Sequence, residues 1–152
     1  MEKIDRLIAI EEIKQLKARY FRLMDTRDFD GMAYVFCRDA VFDCSEGMGV
    51  MPVGGSWKGN LGPVVSGREN IMAWIRASFL NKTSVHHGHC HEITIDSETE
   101  AHGVIAMEDY IRTLDRETRL VHAAGHYHEQ YRVEDNAWRI AKTKLTRLFT
   151  GS

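Results

Sequence analysis

The amino-acid sequence predicts an α+β fold, a curved antiparallel sheet closed on one side by N-terminal helices. Three observations carry that expectation. Apolar residues recur at three- and four-residue spacing early in the chain, they alternate from residue 85 onward, and short polar clusters separate the alternating runs. The chain has 152 residues, 43% hydrophobic and 28% charged, which fits a single domain over residues 1–152. A sheet curved around helices encloses a conical hollow, a natural place for a small apolar ligand.

The first 24 residues form the first expected helix: Ile13, Leu16, Tyr20 and Leu23 or Met24 make an apolar stripe, with Glu11, Glu12, Lys14 and Lys17 between them. Asp28 suits the cap of a shorter helix carrying Met32, Val35 and Phe36, and Ala40 to Cys44 reads as a short strand. From Ser45 to Pro63 lie six glycines, both prolines and an isolated Trp57, so a long loop or a ragged hairpin is expected there. Ser66 followed by Glu69 has the form of a capping box, and Ile71, Trp74, Ile75 and Phe79 mark the buried stripe of a third helix. Alternation then gives antiparallel strands over Val85–Ile95, Ala101–Leu114, Leu120–Val133 and Trp138 to about Phe149. Asp96-Ser97-Glu98 and Glu134-Asp135-Asn136 supply tight turns.

Charge narrows the partners. Twenty Lys and Arg against 22 Asp and Glu give a formal charge of −2 with no basic block, so no nucleic-acid partner is expected. No run approaches the ~18 consecutive apolar residues of a membrane span, and the charged opening Met1 to Arg6 does not read as a secretory leader. Cys37, Cys44 and Cys90 are odd in number and irregular in spacing, which suits free thiols in a reducing cytoplasm. The glycines match neither a phosphate loop nor a dinucleotide fingerprint, since those of 45–63 lack the strand-glycine-helix context such motifs require.

Four of the eight histidines fall between His86 and His91. Alternation puts Val85, His87, His89, His91, Ile93 and Ile95 on one face of the strand and His86 on the other; His122, His126 and His128 share a face of a later strand. His-x-His pairs on adjacent strands can converge on a metal. The spacing matches no zinc pattern and a solvated or packed face is the commoner outcome, so no metal is assigned. Cys90 reads as a small buried thiol rather than a nucleophile.

The strand 101–114 places Asp109 on one face with Ala101, Gly103, Ile105, Met107 and Ile111. An unpaired carboxylate buried there costs several kcal/mol, so Asp109 is expected to be paired, protonated or beside a polar cavity. A structural ion pair, or a register slipped by a bulge, is the plain alternative. Arg147 shares a face with Leu145 and Phe149 and is either a counter-ion for such a carboxylate or a side chain reaching out at a sheet edge. Tyr20 and Asp25 stand about 140° apart around an ideal helix. Spacing therefore does not join them: Tyr20 reads as a core tyrosine whose hydroxyl needs a partner, and Asp25 as an aspartate near the helix end.

The stretches Ile13-Lys14-Gln15-Leu16-Lys17-Ala18-Arg19-Tyr20-Phe21 with Asp25, Val85-His86-His87-Gly88-His89, and Glu92-Ile93-Thr94-Ile95-Asp96 resemble the SnoaL-like branch of the nuclear-transport-factor-2-like superfamily. The pattern is most similar to the bile-acid 7α-dehydratases and more distantly to scytalone dehydratases and lindane dehydrochlorinases. The resemblance implies a cone-shaped, cystatin-like α+β barrel and a homotrimer. It implies Tyr20, Asp25 and His86 as catalytic residues and Asp109 and Arg147 as substrate-binding ones. The implied activity is that of a cofactor-independent lyase, a dehydratase acting on a hydrophobic cyclic hydroxy-carbonyl compound of steroid or polyketide type; the same residues suit a dehydrohalogenase or isomerase. The segment 45–63 and the short end after Arg147 depart from the bile-acid pattern, and both bear on the substrate. The alternative is a non-catalytic protein holding a hydrophobic ligand, or the small subunit of a ring-hydroxylating oxygenase.

Overall fold

The apolar stripe near the N-terminus folds as helix α1 (Lys3–Asp25), which buries Ile13, Leu16, Tyr20, Leu23 and Met24. The computed structural model describes residues 1–47, 49–50, 58–59 and 62–151. Asp28 caps the short helix α2 (Phe29–Met32), its side chain accepting from the backbone N–H of Gly31 at 2.9 Å. A single 3-10 turn over Ala33–Val35 ends the helical run, so Phe36 opens strand β1 (Phe36–Asp43) instead of closing a helix. Strands β2 (Gly49–Val50) and β3 (Lys58–Gly59) pair as a two-rung antiparallel ladder, the ragged hairpin expected of that segment, while Trp57 lies outside the described residues.

Ser66 does not cap the third helix. It ends strand β4 (Val64–Ser66), and helix α3 (Arg68–Ser78) opens on Gly67 at φ 89° without a side-chain cap. That left-handed angle is one glycine adopts freely. Ile71 and Ile75 are buried and Trp74 and Phe79 half-buried, as the stripe requires.

Strands β5 (Lys82–Ile95), β6 (Glu100–Thr113), β7 (Arg119–Glu134) and β8 (Ala137–Gly151) form successive antiparallel hairpins. They belong to one six-stranded sheet of order β4-β1-β8-β7-β6-β5, curved and unclosed, with β4 and β5 at its edges. β1 runs parallel to β8, the one departure from an antiparallel sheet among the described pairings of this sheet. No hairpin joins those two strands, so nothing local forces them antiparallel. Helix α1 packs on β5 and β8, and the core lies between them, with Ile105, Tyr127, Tyr131 and Ile140 facing Ile13, Leu16 and Tyr20.

One bulge alters the reading of the histidine strand. Cys90 has φ 38°, and the β5–β6 register shifts between His89 and His91. An extra residue flips the alternation beyond it. His87 and His89 are exposed, whereas half-buried His91 lies on the inner side with Ile93 and buried Ile95. Cys90, expected to be buried, is exposed.

Candidate active site

The last residue of α1 is Asp25, and β5 carries Ser84 and His86 past it on the sheet's inner face. The Asp25 carboxylate lies 2.6 Å from His86 Nδ1, accepts from the His86 backbone N–H at 2.7 Å, and accepts from Ser84 Oγ at 2.9 Å. In a neutral imidazole, an Nδ1–H that donates to this carboxylate leaves the Nε2 lone pair free. The Phe21 ring stacks on the imidazole, centroids 6.1 Å apart and planes 15° from parallel. Gly88 makes room for that ring: a Cβ there would lie 2.3 Å from Phe21 Cε2.

The β5–β6 register sets His86 directly opposite Asp109, whose Oδ2 is 3.8 Å from His86 Nε2. Asp109 is bound by Arg147 of β8 through two hydrogen bonds, Nη1 to Oδ1 at 2.7 Å and Nη2 to Oδ2 at 2.9 Å. Strand β7 runs between them and presents Ala123 opposite Asp109 and Gly125 opposite Arg147. Those two small residues let the guanidinium cross a whole strand. Gly125 is dictated by the bulge there, since a Cβ would lie 1.9 Å from the Thr146 carbonyl oxygen. Arg147 also donates to the Gly47 carbonyl at 3.3 Å, tying the segment after β1 to the site. Burial works against the Arg147 charge, but the two Asp109 oxygens outweigh it and raise its pKa. Cys44 is close to Arg147, and burial pushes its thiol up to about 12.

Tyr20 is not brought to Asp25. Its hydroxyl is hydrogen-bonded to the Tyr127 phenol, and the two rings meet edge to face at 5.9 Å. Burial, then Tyr127 and Glu129, hold the Tyr20 pKa well above the usual phenol value. Burial and then the Asp109 carboxylate raise that of Tyr127. Both phenols are therefore neutral donors at any ordinary pH.

Three inner-face groups were missed by sequence reasoning: Tyr127, Glu129 and Lys17. Lys17, expected among the charged residues between the stripe positions, is completely buried. Its Nζ lies 2.6 Å from Glu129 Oε1 and over the rings of Tyr20 and Tyr127, 3.9 and 3.6 Å from their centroids. The signal was present: Lys17 is four residues from Ile13 and three from Tyr20, and Glu129 alternates with Tyr127 and Tyr131.

The other histidines do not converge. β6 separates the two histidine strands, which are therefore not adjacent. His122 is held by Glu108 at 2.7 Å and His128 by Thr146 at 3.0 Å. Among the described residues, the group with three ligand atoms within 4.8 Å of one another is Cys37, Asp39 and Glu134. There Asp39 is paired with Arg132, and Glu134 with Arg68 at 3.1 Å. An open groove of about 450 Å³ beside Ile8, Glu12, Arg19 and Trp138 lies apart from His86 and its partners.

The model of the SnoaL-like domain family matches residues 5–144. Among solved structures, the chain is similar to a scytalone dehydratase-like protein of Novosphingobium aromaticivorans, at 16% identity and TM-score 0.79 over 99% of this chain and 91% of that one. It is similar to the hexachlorocyclohexane dehydrochlorinase LinA-type3 of Novosphingobium barchaimii, at 15% identity and TM-score 0.75 over 99% and 93%. An aromatic ring hydroxylase-like protein of Novosphingobium aromaticivorans matches at 20% identity and TM-score 0.78 over 95% and 93%. Likeness at such identities concerns the fold, which hosts more than one chemistry.

Proposed function

The chain belongs to the SnoaL-like domain family, and from that premise we propose that it is a cofactor-independent lyase that removes water from a hydrophobic cyclic hydroxy-carbonyl compound. The observation that carries this proposal is the His86 imidazole, held by Asp25 at 2.6 Å through Nδ1 and directed through Nε2 toward the Asp109–Arg147 pair. A histidine packed in a core needs no carboxylate on one nitrogen and a second, 3.8 Å away, beside the other.

Asp25, Asp109 and Arg147 together carry one net negative charge when His86 is neutral. Taking up a proton brings that total to zero, so the surroundings favour the imidazolium as it forms. Nε2 removes the proton next to the carbonyl, and the C–H electrons move onto the carbonyl oxygen as an enolate. A phenol of the Tyr20–Tyr127 pair, both kept neutral by burial, supplies the hydrogen bond to that oxygen. The enolate electrons then form the C=C bond as the β C–O bond breaks. The proton on Nε2 passes to the departing hydroxyl, which leaves as water and restores neutral His86. Arg147 and Asp109 hold that hydroxyl or another polar end of the substrate.

Likeness to LinA favours a second reading, in which the same base removes hydrogen chloride. The similarity to the bile-acid dehydratases rests on the sequence motif, and the steroid is one member of the substrate class. A panel of cyclic β-hydroxy ketones, chlorocyclohexanes and double-bond isomers, followed by ultraviolet absorbance and mass spectrometry, tests the assignment. Conjugated enone with loss of water supports dehydration. Chloride release alone would replace it with dehydrochlorination, and copurification of a large partner without turnover would favour the oxygenase-subunit alternative.

A further inference from the structure

The mechanism above leaves a completely buried ion pair without a task. Lys17 and Glu129 lie on the inner face of the fold, both side chains wholly shielded from solvent. Glu129 Oε1 accepts from Lys17 Nζ at 2.6 Å and from Thr143 Oγ1 at 2.8 Å, and Oε2 accepts from the Tyr131 hydroxyl at 2.7 Å. Burial pulls the Lys17 pKa down, and the Glu129 carboxylate, by its charge and its hydrogen bond, works against that burial. An ion pair in such a place is weak evidence for stability, because hydrophobic residues of similar volume serve as well.

The ammonium's other neighbours are aromatic. It sits 3.6 Å from the Tyr127 ring centroid, 3.9 Å from that of Tyr20 and 5.0 Å from that of Phe21, the ring that stacks on His86. A desolvated cation over a π face fixes the ring and draws electron density toward itself. For a phenol, that makes the O–H a stronger donor, most of all toward an oxygen that is becoming an anion. The cation thus lies behind the two rings whose hydroxyls form the donor pair.

We propose that Lys17, anchored by Glu129, is a positioning residue for the Tyr20–Tyr127 pair, setting where the two hydroxyls point and strengthening them toward an enolate oxygen. The inference rests on the proposed elimination in one respect: it takes the phenols to face an oxyanion.

The test uses 2-naphthol, an aromatic alcohol whose neutral and ionised forms differ in absorbance and fluorescence, bound to the full chain across a pH series. The variant is Lys17→Met with Glu129→Gln, which removes both charges and leaves neither uncompensated. Wild type is expected to bind naphtholate in preference to naphthol. The double variant, with unchanged circular dichroism, is expected to lose that preference by about tenfold or more. An unchanged preference overturns the inference and leaves the elimination standing. Naphthol bound only in its neutral form by wild type removes the oxyanion site, and with it both this inference and the proposed role of the phenols. If the double variant does not fold, Glu129→Gln alone carries the test: the same loss supports the inference, and an unchanged ratio overturns it.

Discussion

Replacing Asp109 by leucine keeps the shape of the side chain and removes the charge, leaving Arg147 buried with the Gly47 carbonyl and Met107 Sδ as its remaining hydrogen-bond partners among the described residues. The Asp109 side chain is 3% exposed and that of Arg147 7%, so solvent screens neither. Breaking such a pair by removing one member costs about 3–5 kcal/mol, chiefly the penalty of the charge left behind. Against a total of roughly 5–15 kcal/mol for a domain, that is a large fraction. With a urea slope of about 2 kcal/mol/M, the unfolding midpoint should fall by roughly 2 M. Asp109→Leu with Arg147→Met removes both charges and should recover most of that loss. Urea titrations by circular dichroism on wild type, both single variants and the pair give the full cycle. A loss below about 1 kcal/mol for Asp109→Leu would refute the buried-pair account, as would a double variant no more stable than the worse single one.

Gly88→Ala should cost about 1–3 kcal/mol, because its Cβ would stand 2.3 Å from Phe21 Cε2 and drive that ring off His86; unchanged stability and near-ultraviolet dichroism would contradict the packing described. The raised phenol pKa values give an alkaline prediction. Tyr20, Tyr127 and Tyr131 are held protonated by burial in the folded chain, so between the unfolded and folded pKa values the folded state binds more protons. The associated stability is complete below the unfolded value of about 10 and is lost as pH climbs above it. Urea midpoints at several pH values should show that slope, and Tyr131→Phe should flatten it. Cys90 is exposed while Cys37 and Cys44 are buried with raised thiol pKa values. A chromogenic disulfide should therefore titrate one thiol quickly in the native protein and all three in denaturant; rapid reaction of a second would contradict the burial.

Asp109 and Arg147 were legible because each broke an alternating apolar face, and a charge in such company has few physical outcomes. Alternation did not give the inner position of His86: continued without interruption from Ile95 opposite Ala101, the hairpin would set His87 opposite Asp109 and turn His86 away from the face of Ile93 and Ile95. What alternation does not reveal is a bulge. One residue at Cys90 moved His86 to the inner side, split the apparent histidine face, and left nothing in composition to announce it. Lys17 escaped for a different reason. A lysine on an amphipathic helix is ordinarily solvated, and its burial makes sense only once Glu129, more than a hundred residues away, is known to meet it. The partners of Asp25 and Tyr20 are likewise tertiary: helical spacing set them apart, and β5 and β7 supply what each one binds. The parallel pairing of β1 with β8 joins strands that no hairpin links, which local pattern does not encode.

The central claim is that His86 Nε2 takes a proton from carbon. The direct measurement is deuterium uptake at the carbon next to the carbonyl of a cyclic β-hydroxy ketone in heavy water, with wild type, His86→Ala and Asp25→Asn. The account predicts enzyme-dependent exchange and water loss in wild type and neither with folded His86→Ala. With Asp25→Asn, which disturbs the Nδ1 hydrogen bond and hence the tautomer, it predicts a fall on the order of 10³ to 10⁴. A folded His86→Ala that exchanges and eliminates at the wild-type rate would contradict it.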